Sequence, residues 1–401
     1  MSHAVAIVGA GPSGFYAADG LLRARPGLRI DLIDRLPTPL GLVRAGVAPD
    51  HQGTKAVSRQ FDRLLDQPGV RFAGNIEVGR DISWDALRAG YDAVVVATGM
   101  TIDRKLGVPG EGLPHVVGSW RFMAWVNSHP DFPRPPVDLS RVRRVAVIGN
   151  GNVALDVARV LAKSADEMAK SDIAPEAAAA IAAAPLTEIH VIGRRGPEQA
   201  SFTNNELAEM GRLSRAVALA DAAALHEAPP ASDPTPEKLR KNKNLEILRG
   251  FADNQAASET VAKPIAVHFV FHAAPLSFEA GAVELTIGRL DIDLAITCIG
   301  YRGAGMPSGA DVFAVGWARR GPSGTIPTNR GHSHGVAQEV VAFLDAHPPK
   351  DAPDPLAGFA TVDAEGWRRI DKAESEAGAG EGRPRVKISS WERLLALARN
   401  S

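Results

Sequence analysis

Cysteine is almost absent from this sequence: its 401 residues include one, Cys298. A single cysteine excludes an intramolecular disulfide, a Cys-x-x-Cys redox pair and a cysteine-ligated iron–sulfur cluster within the chain. If the chain handles electrons, their final acceptor must therefore lie outside it. The scarcity of cysteine also makes a reducing cytoplasm the expected location.

Excess charge and long apolar runs are missing as well. The formal net charge of −1 argues against nucleic acid or an anionic membrane surface as a bulk partner. No apolar run is long enough to span a bilayer. Because the first predicted strand begins by Ala4, we expect no signal or transit peptide. The length of 401 residues and the 45% hydrophobic content predict a globular protein of two or so domains.

Two glycine motifs are the strongest positive signal. Each follows a β-branched apolar run and opens a helical pattern: Gly9-Ala10-Gly11-Pro12-Ser13-Gly14 and Gly149-Asn150-Gly151-Asn152-Val153-Ala154. In such a unit the first glycine permits a tight turn, the second admits a pyrophosphate, and the third position packs helix on strand. Free N–H groups at the helix N-terminus then bind the phosphates. We predict an α/β fold with two Rossmann-like dinucleotide-binding domains, which indicates hydride transfer from a nicotinamide to a flavin.

The two units differ where their later strands end. In the first, the apolar segment 28–33 ends at Asp34, 20 residues after Gly14. An acidic side chain there accepts hydrogen bonds from a ribose and repels a 2′-phosphate. In the second, the strand predicted at 188–192 is followed by Arg194 and Arg195, whose guanidinium groups suit a phosphate. We expect FAD or NAD at the first unit and NADP at the second. The alternative at both ends is a charged residue that only faces solvent.

Two further apolar segments end in small-residue turns. Segment 91–97 leads to Thr98 and Gly99, and its near-echo 293–299 leads to Gly300. Such turns bring backbone close to a cofactor at the carboxyl edge of a parallel sheet. We expect cofactor contact at both, with plain core strands as the alternative.

Several longer segments resemble the adrenodoxin reductase type of ferredoxin–NADP reductase. They are Pro39–His51, Asn150–Arg159, Arg194–Leu207, Gly316–Ile326 and the tail Gly366–Lys387. The resemblance implies an FAD domain built from both chain ends, residues 1–104 and 305–401, with the NADP domain, 105–304, inserted between them. It also implies that NADPH delivers hydride to FAD, which passes single electrons to a ferredoxin. That ferredoxin could supply a cytochrome P450 or another oxygenase.

The fingerprints and the resemblance together give the expected cofactor contacts. Those of FAD are Gly9, Gly11, Pro12, Ser13, Gly14, Asp34, Leu42, Val78, Thr98, Gly99, Gly316, Trp317, Gly324, Thr325 and Ile326. Those of NADPH are Arg104, Gly149, Asn150, Gly151, Asn152, Val153, Ala154, Arg194, Arg195 and Glu206. Backbone N–H groups of the 316–326 segment can stabilise negative charge on a reduced flavin.

His51 and Glu209 match positions near the nicotinamide–flavin stack in the family. Hydride transfer needs the two rings in near-attack contact and no proton donor. We therefore assign these two residues to orientation and electrostatic tuning, with a proton role when the flavin is reduced. Asp156, one turn into the second helix, is a candidate for orienting His51. No metal-ligand set is expected.

The sequence departs from the family at three places. Residues 216–262 match poorly, 303–312 are compressed, and Ala208 stands where a basic side chain is common. Within the first stretch, Lys238–Lys243, with Arg212 and Arg215 upstream, offers a positive face for an acidic ferredoxin. The alternative is a solvated charged helix after a proline-rich linker, 229–236. The oligomeric state is left open.

Two other functions remain open at this point. One is another flavin oxidoreductase on the same two-dinucleotide scaffold. The absence of a Cys-x-x-Cys pair opposes a disulfide reductase but leaves a monooxygenase. The other is a flavoprotein that serves as a binding module without turnover. The presence of His51, Glu206, Glu209 and both arginines argues against the binding module.

Overall fold

The computed structural model describes residues 2–225, 235–256 and 263–399. Sixteen strands lie within these ranges: β1 Ala4–Val8, β2 Arg29–Ile33, β3 Val70–Ala73, β4 Ala93–Val96, β5 Ile102–Asp103, β6 Val116–Gly118, β7 Arg144–Ile148, β8 Glu188–Ile192, β9 Ala216–Ala220, β10 Ile265–Val270, β11 Pro275–Glu279, β12 Ala282–Leu285, β13 Gly288–Asp291, β14 Leu294–Thr297, β15 Tyr301–Arg302 and β16 Val312–Ala314.

The same ranges contain fifteen α-helices: α1 Pro12–Ala24, α2 Leu42–Ala45, α3 Gln52–Lys55, α4 Ser58–Leu64, α5 Trp84–Gly90, α6 Ser119–Val126, α7 Asn152–Ala162, α8 Ala165–Met168, α9 Pro175–Ala183, α10 Asn204–Met210, α11 Pro236–Ala256, α12 Trp317–Arg320, α13 Ile326–Asp345, α14 Ala364–Gly380 and α15 Trp391–Arg399. Among the described helices, none combines the length and the apolar character that crossing a membrane requires.

The first sheet has five parallel strands in the order β16-β4-β1-β2-β3. Its strands read as continuous apolar runs because both faces are covered. Val5 and Ile7 pack in one cluster with residues of α1 and α13, whereas Ala6 and Val8 pack in another with Leu87 of α5. The edge strand β16, which pairs with β4, comes from the C-terminal part of the chain.

The second sheet has six parallel strands in the order β6-β14-β7-β8-β10-β9. Val145 and Val147 face a large core that includes residues of α6 and α7. Ala146 and Ile148 face the other side, where the antiparallel sheet β11-β12-β13 packs. The predicted α/β fold with two Rossmann-like units is confirmed, and the two echo segments are the buried strands β4 and β14.

The chain passes from the first sheet to the second and later returns, and a short antiparallel pair of strands lies where it does so. Strand β5 pairs with β15, so that Asp103 lies opposite Tyr301 and Ile102 opposite Arg302. Strands before β5 and after β15 belong to the first sheet, and strands β6 to β14 belong to the second sheet or to the small antiparallel sheet. The predicted domain limits, near residues 104 and 305, fall beside this pair.

The tail after α14 is fastened by charged side chains. Arg44 and Glu374 form a buried bidentate ion pair of 2.7 and 2.5 Å, and the backbone N–H of Ile388 donates to the same Glu374 carboxylate. Arg383 donates to the backbone carbonyls of Ser171 and Ile173. Through Arg383, the tail motif therefore contacts the segment that precedes α9.

Candidate functional site

The first glycine turn links β1 to α1 at the carboxyl edge of the first sheet. Gly9 has φ +111°, and a Cβ at this position would lie 2.4 Å from the carbonyl oxygen of Ala97. A Cβ at Gly14 would lie 2.1 Å from the carbonyl oxygen of Gly9. At Gly11, by contrast, the nearest atom lies 3.8 Å away, so backbone there is open to a ligand. Gly9 therefore permits the tight turn, Gly14 permits close packing of the helix, and Gly11 leaves the backbone open. These are the three roles expected of the glycines.

Asp34, at the end of β2, is bonded to this turn. One carboxylate oxygen accepts a hydrogen bond from the backbone N–H of Ala10 (2.8 Å), and the other from Leu36 (2.9 Å). Burial raises the pKa of Asp34, and these backbone donors oppose the rise. The side chain therefore fixes the turn in addition to presenting an acceptor at the strand end.

The segment before α2 covers the turn. Leu40 donates its backbone N–H to the carbonyl of Ala10 at 2.7 Å. Gly41 has φ +47°, and a Cβ on it would lie 2.9 Å from Cα of Gly11. Leu42, the first residue of α2, is thus brought beside the fingerprint. Val78 lies beyond the end of β3 and packs against the apolar cluster on one face of the first sheet.

The C-terminal motif approaches the same turn from the far end of the chain. Gly316 has φ +64°, and a Cβ on it would lie 2.0 Å from Oγ of Ser13. Trp317 begins α12, and its ring stacks on Tyr301 with centroids 6.0 Å apart. Gly324 also has positive φ, +82°, and it and Thr325 precede α13, which begins at Ile326. The structure therefore brings residues 316 and 317 beside the first glycine turn.

A cavity of about 310 Å³ opens next to this motif. Its lining includes Thr98 and Gly99, from the turn after β4, together with residues 303–306 and Ala318. The strand-end turn predicted at residues 98 and 99 therefore faces open space rather than core.

The second glycine turn links β7 to α7. Gly149 has φ +143°, and a Cβ on it would lie 2.3 Å from the carbonyl oxygen of Cys298. Ala154 is fully buried where the helix packs on its sheet. Asn152 accepts a hydrogen bond from the backbone N–H of Thr203 (2.8 Å), and the carbonyl of Asn150 accepts one from Ser201 (2.8 Å). Segment 201–203 thus lies against the turn.

Asn150 carries an unusual atom in this turn. Its Oδ1 is buried and has no hydrogen-bond partner within the described part of the chain. A buried acceptor without a partner carries a desolvation cost, which a ligand that donates to it would remove. The turn is therefore suited to a polar ligand.

Arg194 and Arg195 follow the end of β8 at the same sheet edge and are exposed. Within residues 2–225, 235–256 and 263–399, neither guanidinium has a hydrogen bond or an ion pair. Arg104 lies beside the β5–β15 crossing, where its Nε donates to the carbonyl of Tyr301 (3.0 Å). Two unpaired cations beside a glycine turn form a site for an anionic ligand.

The side chains assigned to the reacting end of the cofactors converge on one buried arginine, Arg159 of α7. Its Nε lies 2.8 Å from Oδ2 of Asp50, its Nη2 2.8 Å from Oδ1 of Asp156, and its Nη1 3.0 Å from Oε2 of Glu206. Oε2 of Glu209 lies 3.4 Å from Nε. Lys163, the residue after the end of α7, also contacts Asp50 (2.7 Å).

His51 lies inside this cluster. Its Nε2 is 3.4 Å from Oε2 of Glu209 and 3.4 Å from Oε2 of Glu206. Its Nδ1 is 3.4 Å from Nη2 of Arg159 and 3.8 Å from Oδ1 of Asp156. The predicted pair His51 and Glu209 is therefore in contact, and Asp156 faces the opposite ring nitrogen.

The pKa values in the cluster follow from burial and neighbouring charge. Burial lowers the pKa of His51, whereas the hydrogen bond to Glu209 and the carboxylates of Asp156 and Asp50 raise it. The net result is a raised pKa. That hydrogen bond lowers the pKa of Glu209. Burial raises the pKa of Glu206. The site therefore favours a charged His51–Glu209 pair and eases protonation of Glu206.

The sequence analysis includes Arg159 in the family-like segment Asn150–Arg159 but assigns it no role. The available signal was its spacing: Asp156, Arg159 and Lys163 recur at three- and four-residue intervals on one helix face. Tyr301, which stacks on Trp317, was not identified either. It lies just past the predicted turn at Gly300.

A family-model comparison matches residues 3–196 to the pyridine nucleotide-disulphide oxidoreductases. The chain is 38% identical over 434 residues to a probable ferredoxin/ferredoxin–NADP reductase of Mycobacterium leprae, covering 98% of this chain and 77% of that protein. It is 34% identical over 452 residues to NADPH-ferredoxin reductase FprA of Mycobacterium tuberculosis, covering 98% of each. It is 32% identical over 460 residues to mitochondrial NADPH:adrenodoxin oxidoreductase of Arabidopsis thaliana, covering 99% and 95%.

Comparison with solved structures gives the same relatives as the sequence comparisons. The structure of Mycobacterium tuberculosis FprA in complex with NADPH superposes with a TM-score of 0.91 at 34% identity, covering 100% of both chains. Two parallel sheets, each with a glycine turn and a helix N-terminus at its carboxyl edge, define the two-dinucleotide class of oxidoreductases. Within that class, the chain belongs to the adrenodoxin reductase-type ferredoxin–NADP reductases.

Proposed function

We propose that this protein is an NADPH-dependent ferredoxin reductase that uses FAD. Bound FAD would supply the redox chemistry of this function, which is hydride acceptance from NADPH and single-electron transfer to an iron–sulfur protein. The residues of the chain bind both cofactors, hold their reacting rings in contact and tune the charge around them.

One observation carries the assignment of cofactors to sites. The carboxylate of Asp34 lies at the strand end beside the first glycine turn, and the exposed guanidinium groups of Arg194 and Arg195 lie at the strand end beside the second. A carboxylate repels a 2′-phosphate, whereas two arginines bind one through charge-assisted hydrogen bonds. FAD therefore belongs to the first sheet and NADP to the second.

The first sheet fits a flavin dinucleotide on the geometry of its own backbone. Gly11 leaves room for a pyrophosphate at the N-terminus of α1. Gly316 lies against the same turn, and the cavity at Thr98 and Gly99 continues beside Ala318. We assign Trp317, Gly324, Thr325 and Ile326 to the flavin end of the cofactor, where backbone N–H groups can stabilise negative charge.

The second sheet fits NADPH equally well. Segment 201–203 folds against the turn that carries Asn150 and Asn152, and α10 starts directly after it. Glu206 and Glu209 of α10 are thereby placed against His51. We assign His51 and Glu209 to orienting the nicotinamide end and to stabilising charge there, and Glu206 to NADPH contact through the same cluster.

The partner is proposed to dock through charge. The structure weakens the basic face predicted at 238–243: Lys241 pairs with Glu237 (2.9 Å) and Lys243 with Glu246 (2.8 Å). Arg240 donates to the carbonyl of Phe202. Arg212 is exposed and Lys238 is half-buried, and we propose a smaller positive patch at these two residues. Residues 229–234 of the predicted proline-rich linker lie outside the described residues.

The domain limits, the location and the final acceptor are also proposals. The crossing at β5 and β15 supports an NADP domain of residues 105–304 inserted into an FAD domain of 1–104 and 305–401. The single, buried cysteine supports a cytoplasmic location. A ferredoxin reduced by this protein could supply a cytochrome P450 or another oxygenase.

The proposal is tested by reducing a purified [2Fe–2S] ferredoxin with NADPH and the FAD-loaded protein, without oxygen. We expect ferredoxin reduction that depends on the protein and slows as salt rises. Lys238→Glu should raise the KM for ferredoxin, with Lys105→Glu, an exposed lysine far from α11 in sequence, as the matched control. Consumption of NADPH without ferredoxin reduction would contradict the proposal and favour an oxygenase.

A further inference from the structure

The two nitrogens of the His51 ring face chemically different surroundings. Nε2 faces carboxylates alone, since Glu206 and Glu209 each lie 3.4 Å away. Nδ1 faces a cation and an anion together: Nη2 of Arg159 at 3.4 Å and Oδ1 of Asp156 at 3.8 Å. Nδ1 can therefore pair with either Arg159 or Asp156, but not with both at once.

The choice of partner depends on the proton that Nδ1 carries. Arginine has only donors, so a contact with Arg159 requires Nδ1 to be an unprotonated acceptor. The ring proton of neutral His51 then sits on Nε2 and is donated to the α10 carboxylates. A second proton on Nδ1 makes it a donor, which repels Arg159 and fits Asp156.

The Arg159 contact is also the easiest one to give up. Nη2 has two N–H bonds but faces three acceptors: Oδ1 of Asp156 (2.8 Å), Oδ1 of Asp50 (3.2 Å) and Nδ1 of His51 (3.4 Å). The histidine contact is the longest of the three. Arg159 can release His51 while its two carboxylate contacts keep the buried guanidinium in place.

We propose that Arg159 and Asp156 act as positioning residues that form a two-way proton switch at Nδ1 of His51. With Nδ1 bare, Arg159 holds His51 as the neutral Nε2–H tautomer. When a proton from solvent binds Nδ1, the imidazolium ring pairs with Asp156 on one side and with Glu209 on the other. His51 thereby changes by one unit of charge without moving from its place between α7 and α10.

The other charged groups around the ring set the balance of the switch. Asp50 directly precedes His51, and Lys163, the residue after α7, contacts Asp50 at 2.7 Å. Burial and Arg159 lower the pKa of His51, and the surrounding carboxylates raise it. The carboxylates outweigh burial and Arg159, so the pKa of His51 lies above its usual value.

The role suggested for the switch rests on the proposed function, whereas the experiment below tests the switch without it. Reduction of a flavin by hydride transfer leaves added negative charge, which a proton at His51 would offset. The switch would supply that charge next to the cofactors while keeping the ring geometry fixed.

The test is ¹⁵N NMR of histidine-labelled protein, with the His51 signals assigned from His51→Gln. In the wild type we expect the neutral ring as the Nε2–H tautomer. Asp156→Asn removes the acceptor for the second proton and should lower the pKa of His51 by about one unit. Arg159→Lys keeps the charge but loses the fork that reaches Nδ1, and should reduce the preference for the Nε2–H tautomer by about tenfold.

Lys163→Gln is the matched control, because it removes a positive charge from the cluster without touching the ring. It should leave the tautomer ratio unchanged. A tautomer shift as large as that of Arg159→Lys, or an unchanged His51 pKa in Asp156→Asn, would overturn the switch. If Arg159→Lys fails to fold, Asp156→Asn decides alone. A wild type that NADPH does not reduce would refute the proposed function and leave the NMR result intact.

Discussion

Lys55 and Asp172, which are 117 residues apart in the chain, form a buried ion pair with both carboxylate oxygens at 2.7 and 2.9 Å from the ammonium nitrogen. Lys387 of the tail contacts the same carboxylate at 3.2 Å, and Asn127 accepts hydrogen bonds from both lysines. One carboxylate therefore faces two buried lysines, and burial lowers the pKa of both. It joins α3, the segment before α9 and the C-terminal tail.

Replacing that carboxylate should destabilise the protein strongly. Asp172→Asn leaves two buried lysines without a counter-charge, which costs about 3–5 kcal/mol in the free energy of unfolding. Denaturant unfolding would measure the loss. Asp345→Asn, which removes a half-exposed ion pair with Arg25, is the control and should cost less than about 1 kcal/mol.

The pH dependence of this effect has a definite sign. Burial would raise the pKa of Asp172, but the charges of Lys387 and Lys55 lower it to about 2, below the value of about 3.9 for an unfolded chain. Its contribution is therefore present above about pH 4 and is lost as the pH falls through about 2. The difference between wild type and Asp172→Asn should shrink over that interval. A difference that stays constant would show that the carboxylate is not charged in the folded state.

Gly316→Ala should weaken flavin binding. Alanine at φ +64° costs about 1–3 kcal/mol, and its Cβ would lie 2.0 Å from Oγ of Ser13, which forces the fingerprint turn apart. We expect FAD to bind at least about tenfold more weakly, measured by the ratio of flavin to protein absorbance after dialysis. Gly335→Ala, in the open middle of α13, is the control and should retain FAD. Full flavin retention by Gly316→Ala would place the flavin elsewhere.

Arg194→Ala combined with Arg195→Ala should abolish the preference for NADPH over NADH. Charge-assisted hydrogen bonds contribute about 1.5–3 kcal/mol each, so the KM for NADPH should rise about 100-fold, whereas that for NADH should change little. Steady-state kinetics with both nucleotides measures this. Arg141→Ala, an exposed arginine before β7, serves as the control. A double variant that still prefers NADPH would refute the 2′-phosphate assignment.

Glu209→Gln should slow reduction of the flavin without releasing it. The substitution removes the charge that accepts from Nε2 of His51, so the pKa of His51 falls and its imidazolium form is lost at lower pH. We expect a drop of about tenfold in the single-turnover rate at neutral pH, the equivalent of about 1.4 kcal/mol. Glu176→Gln, exposed on α9, is the matched control. A colourless Glu209→Gln protein would indicate a structural role instead.

The sequence predicted those features that depend on a few adjacent residues. Strand–turn–helix units need only an apolar run and glycines at fixed spacing, so both fingerprints and the strands β4 and β14 could be found. The partner face was predicted less well. The charges of 238–243 were visible, but their pairing with Glu237 and Glu246 depends on helical side-chain geometry.

The cluster around Arg159 could not be derived from local pattern. Its members come from three separate stretches, around His51, on α7 and on α10, and only tertiary packing brings them within 4 Å. The tail shows the same limit. Its basic residues were identified as part of a motif, but the partners of Lys387 and Arg383, which are Asp172 and the carbonyls of Ser171 and Ile173, are known only once the chain is folded.

The most direct test of the central claim is an anaerobic titration of the oxidised, FAD-loaded protein with NADPH, and separately with NADH, while the flavin absorption band is recorded. The account predicts rapid bleaching by NADPH and slow bleaching by NADH, because only NADPH carries the 2′-phosphate that Arg194 and Arg195 bind. A yellow protein that NADPH does not bleach would contradict the reductase assignment. It would leave a flavoprotein of this fold that binds without turnover.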